Sequence, residues 1–106
     1  MSNFDAVAPA FDRHRALPEG AAQDVRAAVL RALSPRPRLL DLGAGSGRIG
    51  WPFVTAGDDY IGLDLSLGML QAFRARSSTA RLVRADGCAL PFGARTFDGV
   101  LLVQIF

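Results

Sequence analysis

The stretch LLDLGAGSGRIG, Leu39 to Gly50, constrains this chain more than any other. An apolar run broken only by Asp41 gives way to four glycines within eight residues: Gly43, Gly45, Gly47 and Gly50. Such a run predicts a strand that ends in a tight turn and opens a helix. Backbone N–H groups at a junction of this kind point outward and cradle anions. A fixed carboxylate at Asp41 is a poor companion for a phosphate. The chemistry of the turn therefore has to be read together with the acids around it.

The rest of the chain repeats the alternation. Phe4 to Leu17 carries apolar residues at helical spacing, with a start near Pro9. A second helix is predicted from Pro18 to about Leu33, with Val25, Ala28, Val29, Ala32 and Leu33 on its apolar face. The prolines of SPRPR stop it, because proline lacks the N–H a helix interior needs. Strands are predicted at Arg38–Leu42, Tyr60–Leu63, Arg81–Ala85 and Gly99–Gln104. Helices fall between them, at about Arg48–Ala56 and from the cap residue Ser66 to about Arg76. Strands alternating with helices predict an α/β fold with a parallel sheet. The division expected is a helical cap over 1–37 and a ligand-binding half over 38–106.

Asp41, Asp64 and Asp86 recur at spacings of 23 and 22 residues, about one strand-plus-helix unit each. Each is expected at the C-terminal end of its strand. In an open α/β sheet the ligand crevice lies outside those ends. Singly, each acid is equally an N-cap or turn residue. Together they set three negative groups around one glycine turn. GSGRIG, Gly45 to Gly50, fits the G-x-G-x-x-G pattern of dinucleotide sites, and Asp64 follows at a suitable distance. Asp41 opposes that reading, since it would repel a pyrophosphate. A ligand that brings an ammonium and a sulfonium reverses the sign, and S-adenosylmethionine is such a ligand. Its own carboxylate can still use the backbone N–H groups of the turn.

Composition narrows the alternatives. All twelve basic residues are arginines spread along the chain, so no basic nucleic-acid patch is expected. One cysteine, Cys88, excludes an internal disulfide, and a single histidine, His14, argues against a zinc site. No leader-like segment and no apolar run of membrane-spanning length is apparent, so a cytoplasmic location is expected.

LLDLGAGSGRIG, YIGLDLSLGML and RADGCALPFGARTFDGVLLVQIF together resemble the class I S-adenosylmethionine-dependent methyltransferases, over roughly residues 38–106. FDRHRALP is similar, less specifically, to that family's N-terminal lead-in. The resemblance implies a Rossmann-like parallel sheet of order 3-2-1-4. It implies S-adenosylmethionine as cofactor and methyl transfer to a small-molecule acceptor. It assigns Gly43 and Gly45 to the methionine part and Asp41 to its ammonium. Asp64 falls to the ribose hydroxyls, and Leu65 and Met69 to the adenine ring. Asp86 is assigned to the adenine amino group and the Gly87 or Cys88 backbone to the ring. Gln104 falls near the methionine part. Phe11, His14 and Arg15 are placed in a lid; the plainer reading of these three is surface and minor core. Core filling serves equally for Leu65 and Met69, and a small buried residue serves for Cys88.

The family fold has seven strands and this sequence reads as four. In the family, acceptor-binding and basic residues commonly lie beyond the fourth strand, so the resemblance implies a cofactor-binding portion here, with no catalytic residue assigned. Two rivals stand beside that reading: half of a nicotinamide-dependent oxidoreductase, and a non-catalytic interaction fragment. The segment GVLLVQIF is expected to form a sheet edge that pairs with a second copy or a partner chain.

Overall fold

In the computed structural model the apolar run around Asp41 forms the central strand β1 (Arg38–Leu42). The structure describes residues 17–87, 92–93 and 96–102. On one side β1 pairs in parallel with β2 (Asp59–Asp64), which pairs with β3 (Arg81–Arg84). On the other it pairs in parallel with β4 (Gly99–Leu101). The order is therefore β3-β2-β1-β4, as the family resemblance implies. Three helices complete the described chain: α1 (Ala21–Ala32), α2 (Trp51–Ala56) and α3 (Leu67–Arg76). Among the described residues, no helix is long and apolar enough to cross a membrane.

The element boundaries shift for identifiable reasons. α1 starts three residues after Pro18, because LPEG is spent on a turn: the Ala21 N–H donates to the Pro18 carbonyl at 3.1 Å, and Gly20 sits at φ +83°. α2 begins at Trp51 rather than near Arg48, since the residues from Gly43 to Gly50 are all absorbed by the turn. Pro52 lies in its first turn, where its missing N–H costs nothing. β2 is one residue longer at each end than expected, and β3 stops at Arg84. β4 is three residues long, not six; Leu102 is outside the strand. The expected helix over Phe4–Leu17 and the remainder of the expected fourth strand lie outside the described residues.

Packing beneath the turn is aromatic. Phe53, Tyr60 and Phe73 are almost fully buried, with Leu39 beside them. Phe53 stacks on Tyr60 at a centroid distance of 5.5 Å, and Phe73 tilts against it at 6.2 Å. Each such side chain contributes roughly 1.5–3 kcal/mol by burial. Ser66 caps α3 as its position predicts, its Oγ accepting from the Met69 N–H at 3.2 Å. α1 is fastened to the sheet layer in two ways. Val29 and Leu33 pack against the core. Arg26 makes a two-pronged bond to Asp58, Nε at 2.6 Å and Nη2 at 2.9 Å, just ahead of β2.

Candidate functional site

The parallel register decides which acids meet. Asp41 lies opposite Gly62 on β2 and Leu101 on β4, one residue before β1 ends. Asp64 is the last residue of β2, and Asp86 lies two residues beyond β3. All three therefore gather at the C-terminal edge of the sheet, around the glycine turn.

Their environments differ sharply. Asp41 is 2 % exposed. Its Oδ2 accepts the hydroxyl proton of Tyr60 at 2.5 Å. Burial, partly offset by that bond and reinforced by the nearby charge of Asp64, pushes the Asp41 carboxyl up to about 6. Burial and the neighbouring carboxylate push the Tyr60 phenol upward as well, so it remains a proton donor. Asp64 stands at the rim. Its Oδ2 accepts from the Gly45 N–H at 2.8 Å and its Oδ1 from the Ser66 N–H at 2.9 Å. One carboxylate thus joins the turn, the end of β2 and the start of α3. Each of its oxygens retains a second lone pair for a ligand hydroxyl. Asp86 and Gly87 are exposed next to it.

The turn is tied to β2 a second time. The N–H groups of Gly43 and Ala44 both donate to the Leu63 carbonyl, at 2.9 and 3.0 Å. Its glycines serve two separate purposes. Gly43 has φ +75°, and a methyl built there would meet nothing within 4 Å. Open space adjoins the backbone at that point, so a ligand can approach it closely. Gly47 and Gly50 face the interior. A Cβ on Gly47 would lie 2.7 Å from the Phe73 ring, and one on Gly50 would collide with the Tyr60 hydroxyl. Two of the three glycines in the G-x-G-x-x-G match therefore make room for aromatic rings, not for a ligand.

The expected adenine contacts separate in the same way. Leu65 is 41 % exposed at the rim. Met69 is buried, with its sulfur near Gly45. Arg84 Nε donates to the Leu65 carbonyl at 3.0 Å, and the Ala85 N–H donates to the Asp64 carbonyl, so the ends of β2 and β3 are held together. Cys88, Gln104 and the lid residues Phe11, His14 and Arg15 lie outside the described residues. No group of three or more His, Cys, Asp or Glu side chains able to hold a metal occurs among the described residues.

Sequence reasoning missed Tyr60 as the partner of Asp41. The signal is present: alternation along β2 sets Tyr60, Gly62 and Asp64 on one face, and Tyr60 is the only tyrosine. The pairing becomes visible only once the register with β1 is known.

A four-stranded parallel sheet of this order, with a glycine turn after the central strand and an acid closing the next, defines a Rossmann-like nucleotide-binding fold. The model of the methyltransferase domain family matches residues 39–106, and the chain belongs to that family. It is 37 % identical over 102 residues to the demethylmenaquinone methyltransferase of Renibacterium salmoninarum, covering 93 % of this chain and 43 % of that protein. Its identity to the enzyme of the same name from Streptomyces griseus is 38 % over 104 residues, covering 95 % and 45 %. Among solved structures it is similar to S-adenosylmethionine-bound CalS10, an amino pentose methyltransferase of Micromonospora echinaspora. That match has a TM-score of 0.73 and 32 % identity, over 92 % of this chain and 42 % of CalS10. The chain spans less than half the length of each of these relatives.

Proposed function

We propose that this chain forms the S-adenosylmethionine-binding portion of an enzyme that methylates a small-molecule acceptor. The observation that carries the reading is the charge of the turn. Asp41 is buried beneath it and Asp64 bonds directly to it. Above its titration range Asp41 is an anion, and an acid on each side of the turn disfavours a pyrophosphate and favours a cationic ligand. The open side of Gly43 suits the close approach of a ligand's methionine part. Asp64 has acceptor capacity left for ribose hydroxyls, and Leu65 offers exposed apolar surface beside it for an adenine ring. Asp86, Gly87 and Cys88 are proposed for the adenine edge, and Gln104 for the methionine part. Met69, being buried, supports the turn from below in addition to any contact with the ring.

When bound, S-adenosylmethionine supplies a methyl group already activated on a sulfonium. The chain's residues would bind and orient; the sheet edge and the turn fix the position of the ligand before reaction. The acceptor belongs to the proposal only as a class. The similar proteins named above carry names that refer to a demethylated menaquinone and to an amino pentose. We further propose that residues 1–37 act as a cap on the binding half over 38–106, and that the protein works in the cytoplasm. Among the described residues β4 is an edge strand, with Val100 and Leu102 55 % and 63 % exposed, and its outer side is proposed to accept another strand from a second copy or a partner chain.

Calorimetric titration tests the central reading. S-Adenosylhomocysteine should bind and NAD should not. Asp41→Asn should weaken the first and, by removing a repulsive charge, improve the second. Preferential binding of NAD by the unaltered chain would refute the reading.

A further inference from the structure

The Tyr60 hydroxyl touches both ends of the glycine turn. At the entry it donates to Asp41 Oδ2 at 2.5 Å, the short distance of a bond between a hydroxyl and an anion. At the exit it occupies the space that a side chain at Gly50 would fill, just before α2 begins. The ring that carries the hydroxyl cannot drift, because it is 2 % exposed and held between Phe53 and Phe73. A tyrosine at this position is expensive if it serves only as core filler, since phenylalanine would pack equally well without a polar atom to satisfy. The hydroxyl is satisfied by one partner, and that partner is the acid beneath the ligand turn.

We propose that Tyr60 is a positioning residue for the cofactor site, its hydroxyl holding the Asp41 carboxylate as an anion beneath the glycine turn, where its charge attracts the ammonium of the ligand. This deepens the function proposed above and rests on it. Asp41 is too deeply buried for direct contact with a ligand in this structure; its charge acts through the turn, and a poorly screened interior lets it do so. Among the described residues, few other charges lie on the elements around the pair. Asp64, at the end of β2, opposes the ionisation of Asp41. Arg48 is buried within the turn. α2 carries no charged residue, the buried residues of α3 (Met69, Leu70 and Phe73) are uncharged, and the Leu101 neighbour of Asp41 on β4 is apolar. Burial and Asp64 disfavour the Asp41 anion, and the Tyr60 hydrogen bond favours it.

Tyr60→Phe keeps the ring and removes only the donor. The first measurement needs no ligand: the Asp41 carboxyl carbon is titrated by NMR in both proteins. Loss of a hydrogen bond to a charged group should raise its midpoint by about one to two pH units. The second measurement compares two ligands by calorimetry, S-adenosylhomocysteine and 5′-methylthioadenosine, which lacks the amino-acid part and hence the ammonium. Tyr60→Phe should weaken S-adenosylhomocysteine roughly five- to tenfold at pH 6.5, with recovery by pH 8.5, as the carboxyl there ionises again. Binding of 5′-methylthioadenosine should be the same in both proteins at both pH values. Asp41→Asn keeps an acceptor for Tyr60, so it serves as a second variant; it should lose affinity for S-adenosylhomocysteine alone and show no recovery with pH. An unmoved Asp41 midpoint in Tyr60→Phe overturns the proposal, and so does an equal loss for both ligands at every pH. If the unaltered chain binds neither ligand, the proposed function fails and the ligand half of this inference with it, whereas the ligand-free titration still reports on Tyr60 by itself.

Discussion

Replacing Asp41 by Asn should change the pH dependence of folding by a calculable amount. The carboxyl rises from an ordinary 3.8 to about 6 in the folded chain, a difference of roughly 3 kcal/mol at 1.36 kcal/mol per pH unit. Because the folded-state value is the higher one, the folded chain holds this proton more tightly than the unfolded chain does. The corresponding stability is complete below about pH 3.8 and is lost as pH rises through about 6. At pH 7.5 the native protein therefore carries the full cost of a buried anion. Asn resembles the protonated acid in shape and still accepts from Tyr60. Relative to the native chain, Asp41→Asn should gain roughly 3 kcal/mol of stability between pH 3.5 and pH 7.5. Groups remote from Asp41 contribute equally to both proteins and cancel in the difference. Urea denaturation followed by the fluorescence of Trp51, the only tryptophan, measures it. A difference between the two proteins that stays constant over this range would refute the reasoning, since it would mean that Asp41 titrates in the folded chain as it does in the unfolded one.

Other changes test the remaining parts. Asp64→Ala removes the acceptor for two backbone N–H groups as well as the proposed ribose partner. It should weaken S-adenosylhomocysteine roughly ten- to a hundredfold and also lower folding stability by about 1–3 kcal/mol, read by calorimetry and denaturation together. Gly47→Ala should destabilise by about 3 kcal/mol or more, from a left-handed backbone and a clash with Phe73; Gly43→Ala meets only the backbone cost of about 1–2 kcal/mol, so thermal melting should separate them. Arg26→Ala should cost about 1 kcal/mol in a denaturant melt, because its bidentate bond to Asp58 is half-buried. Light scattering across a concentration series tests the open side of β4; Leu102→Lys should reduce association, and a native chain monomeric at every concentration would remove the partner proposal.

The sequence alone determined the periodic parts of this protein. Strand and helix alternation, the position of the glycine turn and the even spacing of three acids are local patterns, and the order β3-β2-β1-β4 follows from them by resemblance. Ser66 as a cap was legible for the same reason, because capping is a contact between residues three apart. What needed the tertiary structure was everything that depends on register and depth. Asp41 and Asp64 are alike on paper, both carboxylates at strand ends. Only packing made one a buried acid under Tyr60 and the other a rim acid tied to Gly45 and Ser66. The glycine pattern gave no sign that Gly47 and Gly50 yield space to Phe73 and Tyr60, which come from elements ten or more residues away. Desolvation and close approach are properties of surfaces brought together across the chain, and a string of residues does not encode them one position at a time.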